Sequence, residues 1–263
     1  TGASNTALGK QAMQANTTAS NGTAVGFSAL YANTTGRDNT AVGFSAGITN
    51  TTGLENTALG MYALRFNTTG NTNTALGLQA LHRNTTASDN TAVGRNSMEQ
   101  NTTGAQNVAV GSLALDANTE GDNNVSLGYG SLTANTTADN NVAIGRTALE
   151  ANTTGAGNVA VGKDALIANT TASNNVAVGM DALTANTEGH SNTAVGRDSG
   201  NAITTGDNNL CLGYQAGISG SPGGAITTGD NFICLGDENV TAAHIQVDWT
   251  IASDERDKTD FTA

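Results

Sequence analysis

Short apolar blocks recur along this chain with an unbroken period. A Val, Leu or Ile stands directly before each of the glycines Gly9, Gly26, Gly43, Gly60, Gly77, Gly94, Gly111, Gly128, Gly145, Gly162, Gly179, Gly196 and Gly213, and each step is 17 residues. Four residues before the glycine stands Asn in every unit but one, from Asn5 and Asn39 to Asn209, with Gly22 the exception. A second Asn follows seven residues after it, at Asn16, Asn33, Asn50 and onward to Asn186. Between them lie an Ala and a Leu, three and four residues past the glycine in most units.

A helical repeat needs two helices and at least about 33 residues, so this period excludes helical solenoids. Asn-Thr-Ala-Val-Gly has period-2 character and β-branched residues, which predicts a short strand ended by glycine. Asn-Thr-Thr-Gly and Asn-Thr-Thr-Ala-Ser predict turns, since Asn and Gly tolerate left-handed backbone and Asn, Ser and Thr bond their own main chain. The expected fold class is therefore all-β, a parallel β-solenoid with one coil per unit, rising about 4.8 Å per coil to a rod of roughly 60 Å. Every residue then stacks on its equivalent one coil away. The Val or Leu before the glycine and the Leu after it are the expected core. The Ala of each strand (Ala7, Ala24, Ala41, Ala58) is expected to face a neighbouring chain. A coil buries so little that association is expected, a homotrimer about an axis being the natural closed form.

Regularity is expected over residues 1–213. Gly47, Gly200 and Gly217 replace the Leu, and Ile203 replaces the turn Asn. Residues 214–252 read as an irregular end coil, with an insertion around Pro222, a returning unit to Gly236, and a capping strand in which Ile245, Val247, Trp249 and Ile251 alternate with polar residues. Residues 253–263 form a third segment. Thr1 is not an initiator Met, so the chain reads as a piece of something longer.

Composition narrows the class. With 33 Gly, 4% aromatic residues and 37% hydrophobic residues, the chain lacks the large side chains of a conventional globular enzyme. Ten Lys and Arg against 22 Asp and Glu give a net charge of −12 with no basic cluster, which argues against nucleic-acid binding. No apolar run approaches the length of a membrane span. No metal-ligand spacing appears at His82, His190 and His244, and no carboxylate pair suggests a glycosidase. No cofactor is expected. Asp164, Asp181 and Asp198 stack in consecutive coils, where a cation is weighed against splay and pairing with Lys163 and Arg197. Cys211 and Cys234 read as small buried residues rather than a disulfide.

Candidate receptor contacts lie along the positions just after the glycines. This stripe carries Phe27 and Phe44 at one end and Tyr129 and Tyr214 farther on, among the basic Arg95, Arg146, Lys163 and Arg197. Packing between chains is the competing reading. Many Asn-Thr-Thr blocks fit the N-glycosylation pattern, against which stands a plain role in turns and stacked amides. Thr6, Thr40, Thr57, Thr74 and Thr91 suggest an ice-binding array, but Val108, Val125, Val142, Val159 and Val176 take that position later, as if it faced a core.

Asn141-Val142-Ala143-Ile144-Gly145 and its neighbours resemble the head repeats of trimeric autotransporter adhesins, over about residues 5–213. The resemblance implies a trimeric left-handed parallel β-roll. Those repeats are shorter, and here Asn-Thr-Thr-Gly lengthens the coil. Ala252-Ser253-Asp254-Glu255-Arg256-Asp257-Lys258 is similar to the start of the endosialidase-type intramolecular chaperone found at the C-termini of phage tail fibres and tailspikes. That resemblance implies a segment that helps three chains trimerise and then cuts itself off, with Ser253 as nucleophile and Lys258 as its base. The expected function is a structural and adhesive one: a trimeric tail-fibre rod on the outside of a virion, binding a host surface receptor or glycan, with autoprocessing as its only chemistry. The head of a bacterial trimeric surface adhesin is the alternative.

Overall fold

The computed structural model describes residues 2–221 and 223–242; the expected capping strand, Ser253 and Lys258 lie outside the described residues. Fourteen strands of three residues each, from β1 (Thr6–Leu8) to β14 (Ile233–Leu235), form one parallel sheet in sequence order. The register is one coil throughout, as in Val142↔Val159 and Ala143↔Ala160. Only between β13 (Leu210–Leu212) and β14 does the step lengthen, and Cys211 still pairs with Cys234 across it. The fold is thus an all-β parallel solenoid with 17-residue coils and, among the described residues, no helix.

The strand faces are the reverse of the sequence expectation. In β9 (Val142–Ile144) the central Ala143 is fully buried, whereas Ile144 is 39% exposed. The same alternation runs through the rod: the Ala of nearly every strand points inward, and the residues either side of it point out. Volume overrides hydrophobicity here. Across the coil from the strand stands the Leu four residues after the glycine, and a Cβ placed at Gly47 would lie 3.1 Å from Leu30 Cδ2 and 3.8 Å from Ala41 Cβ. Between that Leu and the strand there is room for a methyl group and little else. Ala therefore lines each chain's own core rather than an interface, and the column from Val108 to Val176 is half-exposed rather than inward.

In most coils the core is two small residues and one Leu or Met, for example Ala109, Ala114 and Leu115. Leu115 has a φ of +53°, as do its equivalents within a few degrees. A left-handed L residue costs about 1–2 kcal/mol. Burying a Leu side chain returns about 1.5–3 kcal/mol, so the core sustains the backbone conformation. In the last coils the filling changes sides: Gly200 and Gly217 lack a side chain, and Ile203 Cδ1 and Ile226 Cδ1 come within 3.4 and 3.5 Å of where their Cβ atoms would be.

The rest of the interior is amide. From Asn50 to Asn186, each Asn seven residues past a glycine donates Nδ2–H to Oδ1 of the Asn one coil before, at 2.8 Å for Asn50 to Asn33 and for Asn118 to Asn101. The same Nδ2 donates to the carbonyl three residues on, 2.9 Å for Asn118 to Gly121. The Asn before each strand forms a second column, its Oδ1 accepting the next Asn backbone N–H and its Nδ2 donating to that same class of carbonyl, as Asn107 does to Gly121 at 2.8 Å. Both columns are buried. The first ends where Ile203 offers no donor, and Asn186 keeps its interior bonds to Asn169 and Gly189 while its Oδ1 has no partner. These Asn side chains, from Asn33 on, are closed off inside the folded rod, so the amide-ladder reading of the Asn-Thr-Thr blocks holds and a glycan cannot be carried there.

Candidate functional site: a break in the repeat at residues 48–116

The stripe expected to touch a receptor is only partly assembled. Phe27 and Phe44 stack at 5.2 Å with an interplanar angle of 11°, both exposed. Tyr129, next to β8 (Val125–Leu127), and Tyr214, beyond β13, are exposed, but Tyr129 sits five coils from Phe44 and Tyr214 a further five coils on. Tyr214 lies under the Arg197 guanidinium at 5.7 Å. Asp164 is bonded to Lys163 and Thr147, which hold its carboxyl below the usual range, and Asp198 pairs with Arg197 at 3.2 Å. Pairing, not a cation, accounts for those two carboxylates. Cys211 and Cys234 are free and buried; burial, with Cys234 alongside, pushes the Cys211 thiol up to about 11, which keeps it protonated.

The distinctive chemistry is elsewhere. Six residues past the glycine eight of the coils carry Ala, but four consecutive coils there carry Thr49, Phe66, Arg83 and Gln100. The neighbouring column reads Arg65, His82, Glu99 and Asp116. Aligning the repeat column by column reveals this substitution; reading along the chain, where Arg65-Phe66 and His82-Arg83 are isolated pairs, hides it.

These side chains form one cluster continuous with the Phe27–Phe44 stack. Phe44 meets Tyr62 edge-on at 5.5 Å, Tyr62 meets His82 at 6.2 Å, and His82 meets Phe66 at 5.1 Å. The Arg65 guanidinium lies 4.6 Å from the Tyr62 ring centroid and 5.0 Å from that of Phe66, within cation–π range. His82 is 8% exposed, and neither ring nitrogen has a hydrogen-bond partner among the described residues. Burial first, then the charge of Arg65, holds its pKa below the ordinary value. Beside this cluster opens a cleft of about 500 Å³, lined by Thr49, Phe66, Thr68, Arg83, Thr85 and Thr102.

Asp116 closes the far end. Its Oδ1 is buried without a partner, and burial together with the Glu99 charge raises its pKa to about 6. A folded pKa above the unfolded one favours the fold at low pH, and that contribution is lost as pH rises through about 6. Asp116→Asn is accordingly expected to raise the melting temperature by several degrees at pH 8 and to leave it unchanged at pH 4. Equal shifts at both pH values in calorimetry would show that the Asp116 carboxylate carries no such penalty.

Among the described residues no group of three His, Cys, Asp or Glu is placed to hold a metal ion, and no helix is long and apolar enough to cross a membrane. No family model matches the chain, and no curated protein or solved structure matches it either.

Proposed function

We propose that this chain is the rod of a trimeric tail fibre, a stiff extracellular spacer that carries an attachment surface toward a host. One observation carries the reading: of the two outward columns of the strands, the one directly before the glycine is aliphatic along the whole solenoid. Leu8, Leu59, Val110, Ile144, Val195, Leu212 and Leu235 all belong to it, and each is more than a third exposed in the single chain. A soluble monomer rarely keeps so continuous an apolar stripe in water. Three copies about an axis parallel to the rod bury it while leaving the opposite side of each coil free. The similarity of the repeat to trimeric adhesin heads and of Ser253–Lys258 to a fibre's self-cleaving chaperone junction supports the same assembly.

The column makes Ile144→Asp a clean test. Ile144 is partly exposed in the single chain, so the substitution is expected to keep the β-rich circular dichroism spectrum. In the assembly it places three carboxylates at one level of an apolar axis, where desolvation and mutual repulsion together cost several kcal/mol. Native mass spectrometry is expected to give a homotrimer for the parent chain and monomers for the variant. A stable, folded parent monomer would remove the proposal.

A further inference from the structure

We propose that the cleft at Phe66 and Arg83 binds a saccharide bearing a carboxylate. The inference deepens the attachment reading and rests on it for biological purpose, though not for its geometry. The cleft offers three kinds of contact. Phe66 is 40% exposed and held from behind by His82 and Arg65, so its position is fixed while part of the ring is open to solvent. Arg83 is exposed and takes part in none of the ion pairs among the described residues, which are Arg37–Asp38, Lys163–Asp164 and Arg197–Asp198. Arg65, Arg95 and Arg146 are likewise outside those ion pairs, but Arg83 is the guanidinium that lines the cleft, where it is placed to meet an anion.

The Thr column decides which anion. Thr68, Thr85 and Thr102 commit their hydroxyl hydrogens to the carbonyls of Thr85, Thr102 and Thr119, at 3.0, 3.1 and 2.9 Å. What they still present to the cleft is oxygen lone pairs, so the Thr side of the cleft accepts and does not donate. The backbone there is also occupied: the carbonyls of Thr68, Thr85 and Thr102 each receive an N–H from the coil before as well. An extended peptide finds no main chain to pair with. A phosphate or sulfate ion meets the guanidinium but brings neither an apolar face nor donors. A sugar acid brings all three features: a carboxylate for Arg83, a C–H-rich ring face for Phe66, and hydroxyl donors for the Thr oxygens. The cleft lies about half a coil in sequence from the strand column, on the side that the proposed trimer leaves open.

The test uses the whole chain with 3′-sialyllactose and a glucuronate disaccharide as probes, and with lactose and an Asp/Glu tetrapeptide as comparators. Titration calorimetry with saturation-transfer NMR is expected to detect at least one acidic sugar, with lactose and the peptide at least about tenfold weaker. Arg83→Gln and Phe66→Ala are each expected to weaken it by about tenfold or more, while Arg146→Gln leaves it unchanged. Binding that is undiminished in Arg83→Gln, equal for lactose, equal for the acidic peptide, or absent for both acidic sugars overturns the proposal. Native mass spectrometry on the same sample separates this from the rod reading. A trimer that binds no acidic sugar removes the cleft alone, and a monomer that binds one removes the trimeric rod alone.

Discussion

Gly111→Ala is expected to lower the melting temperature by about 10 °C or more, whereas Gly121→Ala in the same coil shifts it by about 2 °C or less. Both glycines are tightly enclosed. A Cβ at Gly111 would stand 2.3 Å from the carbonyl oxygen of Gly128, and one at Gly121 would stand 2.4 Å from that of Ala138. The difference is the backbone. Gly111 has a φ of +143°, a conformation that residues with a Cβ almost never adopt, and it carries the chain out of β7 (Val108–Val110) into the turn. Gly121 has no such φ, and its column holds Ala19, Ala87, Ala138 and Ala172 elsewhere, so the same stack accommodates a methyl group at that position in other coils. At Gly111 both the backbone and the next coil must move, at a cost of about 4 kcal/mol or more. Differential scanning calorimetry of the two variants reads the contrast directly, and equal shifts would mean that φ is not what restricts the column to glycine.

The second large effect is expected from Asn118→Ala. The substitution removes the donor to Asn101 Oδ1, the donor to the Gly121 carbonyl and the acceptor for Asn135 Nδ2. Gly121 keeps its bond from Asn107, but Asn101 Oδ1 and Asn135 Nδ2–H each lose a partner in a dry interior. At about 1–3 kcal/mol for each group left bare, the loss is about 3–5 kcal/mol. Asn186→Ala is expected to cost less, because that residue's Oδ1 is already unpartnered and one bond fewer is broken. Urea denaturation of both variants checks the order, and a larger loss at Asn186 would show that the column is not held by its amide chain.

The coil, its length and its parallel stacking follow from the spacing of the glycines, because any other period would put unlike residues in one column. Which strand face is inside does not follow from hydrophobicity. Thr-Ala-Val and Val-Ala-Val place the larger apolar residues on the face that the structure turns outward, and only the closeness of Leu30 and its equivalents makes a methyl group the right size for the inside. Stacked amides were legible from the recurrence of Asn. Their burial was not, since Asn is ordinarily a surface residue and becomes an interior one only when every coil supplies the partner for the next. The cluster at Arg65, Phe66, His82 and Arg83 shows the same limit. Its members are spaced like the repeat itself, so the signal is Phe66 and Arg83 in a column that elsewhere is mostly Ala, and the contacts among Phe44, Tyr62 and His82 join columns that the sequence keeps apart.

The bonds that join each coil to the next, in the sheet and in both amide columns, run along the rod. A pull on its two ends therefore loads one coil junction after another in series, rather than all of them in parallel. The weakest junction opens first, and a freed coil of 17 residues stretches to roughly 55–60 Å where it had occupied about 4.8 Å. Losing a single coil thus nearly doubles the reach of the rod while the remaining coils stay wound. Under tension such a solenoid is expected to lengthen stepwise, one coil at a time.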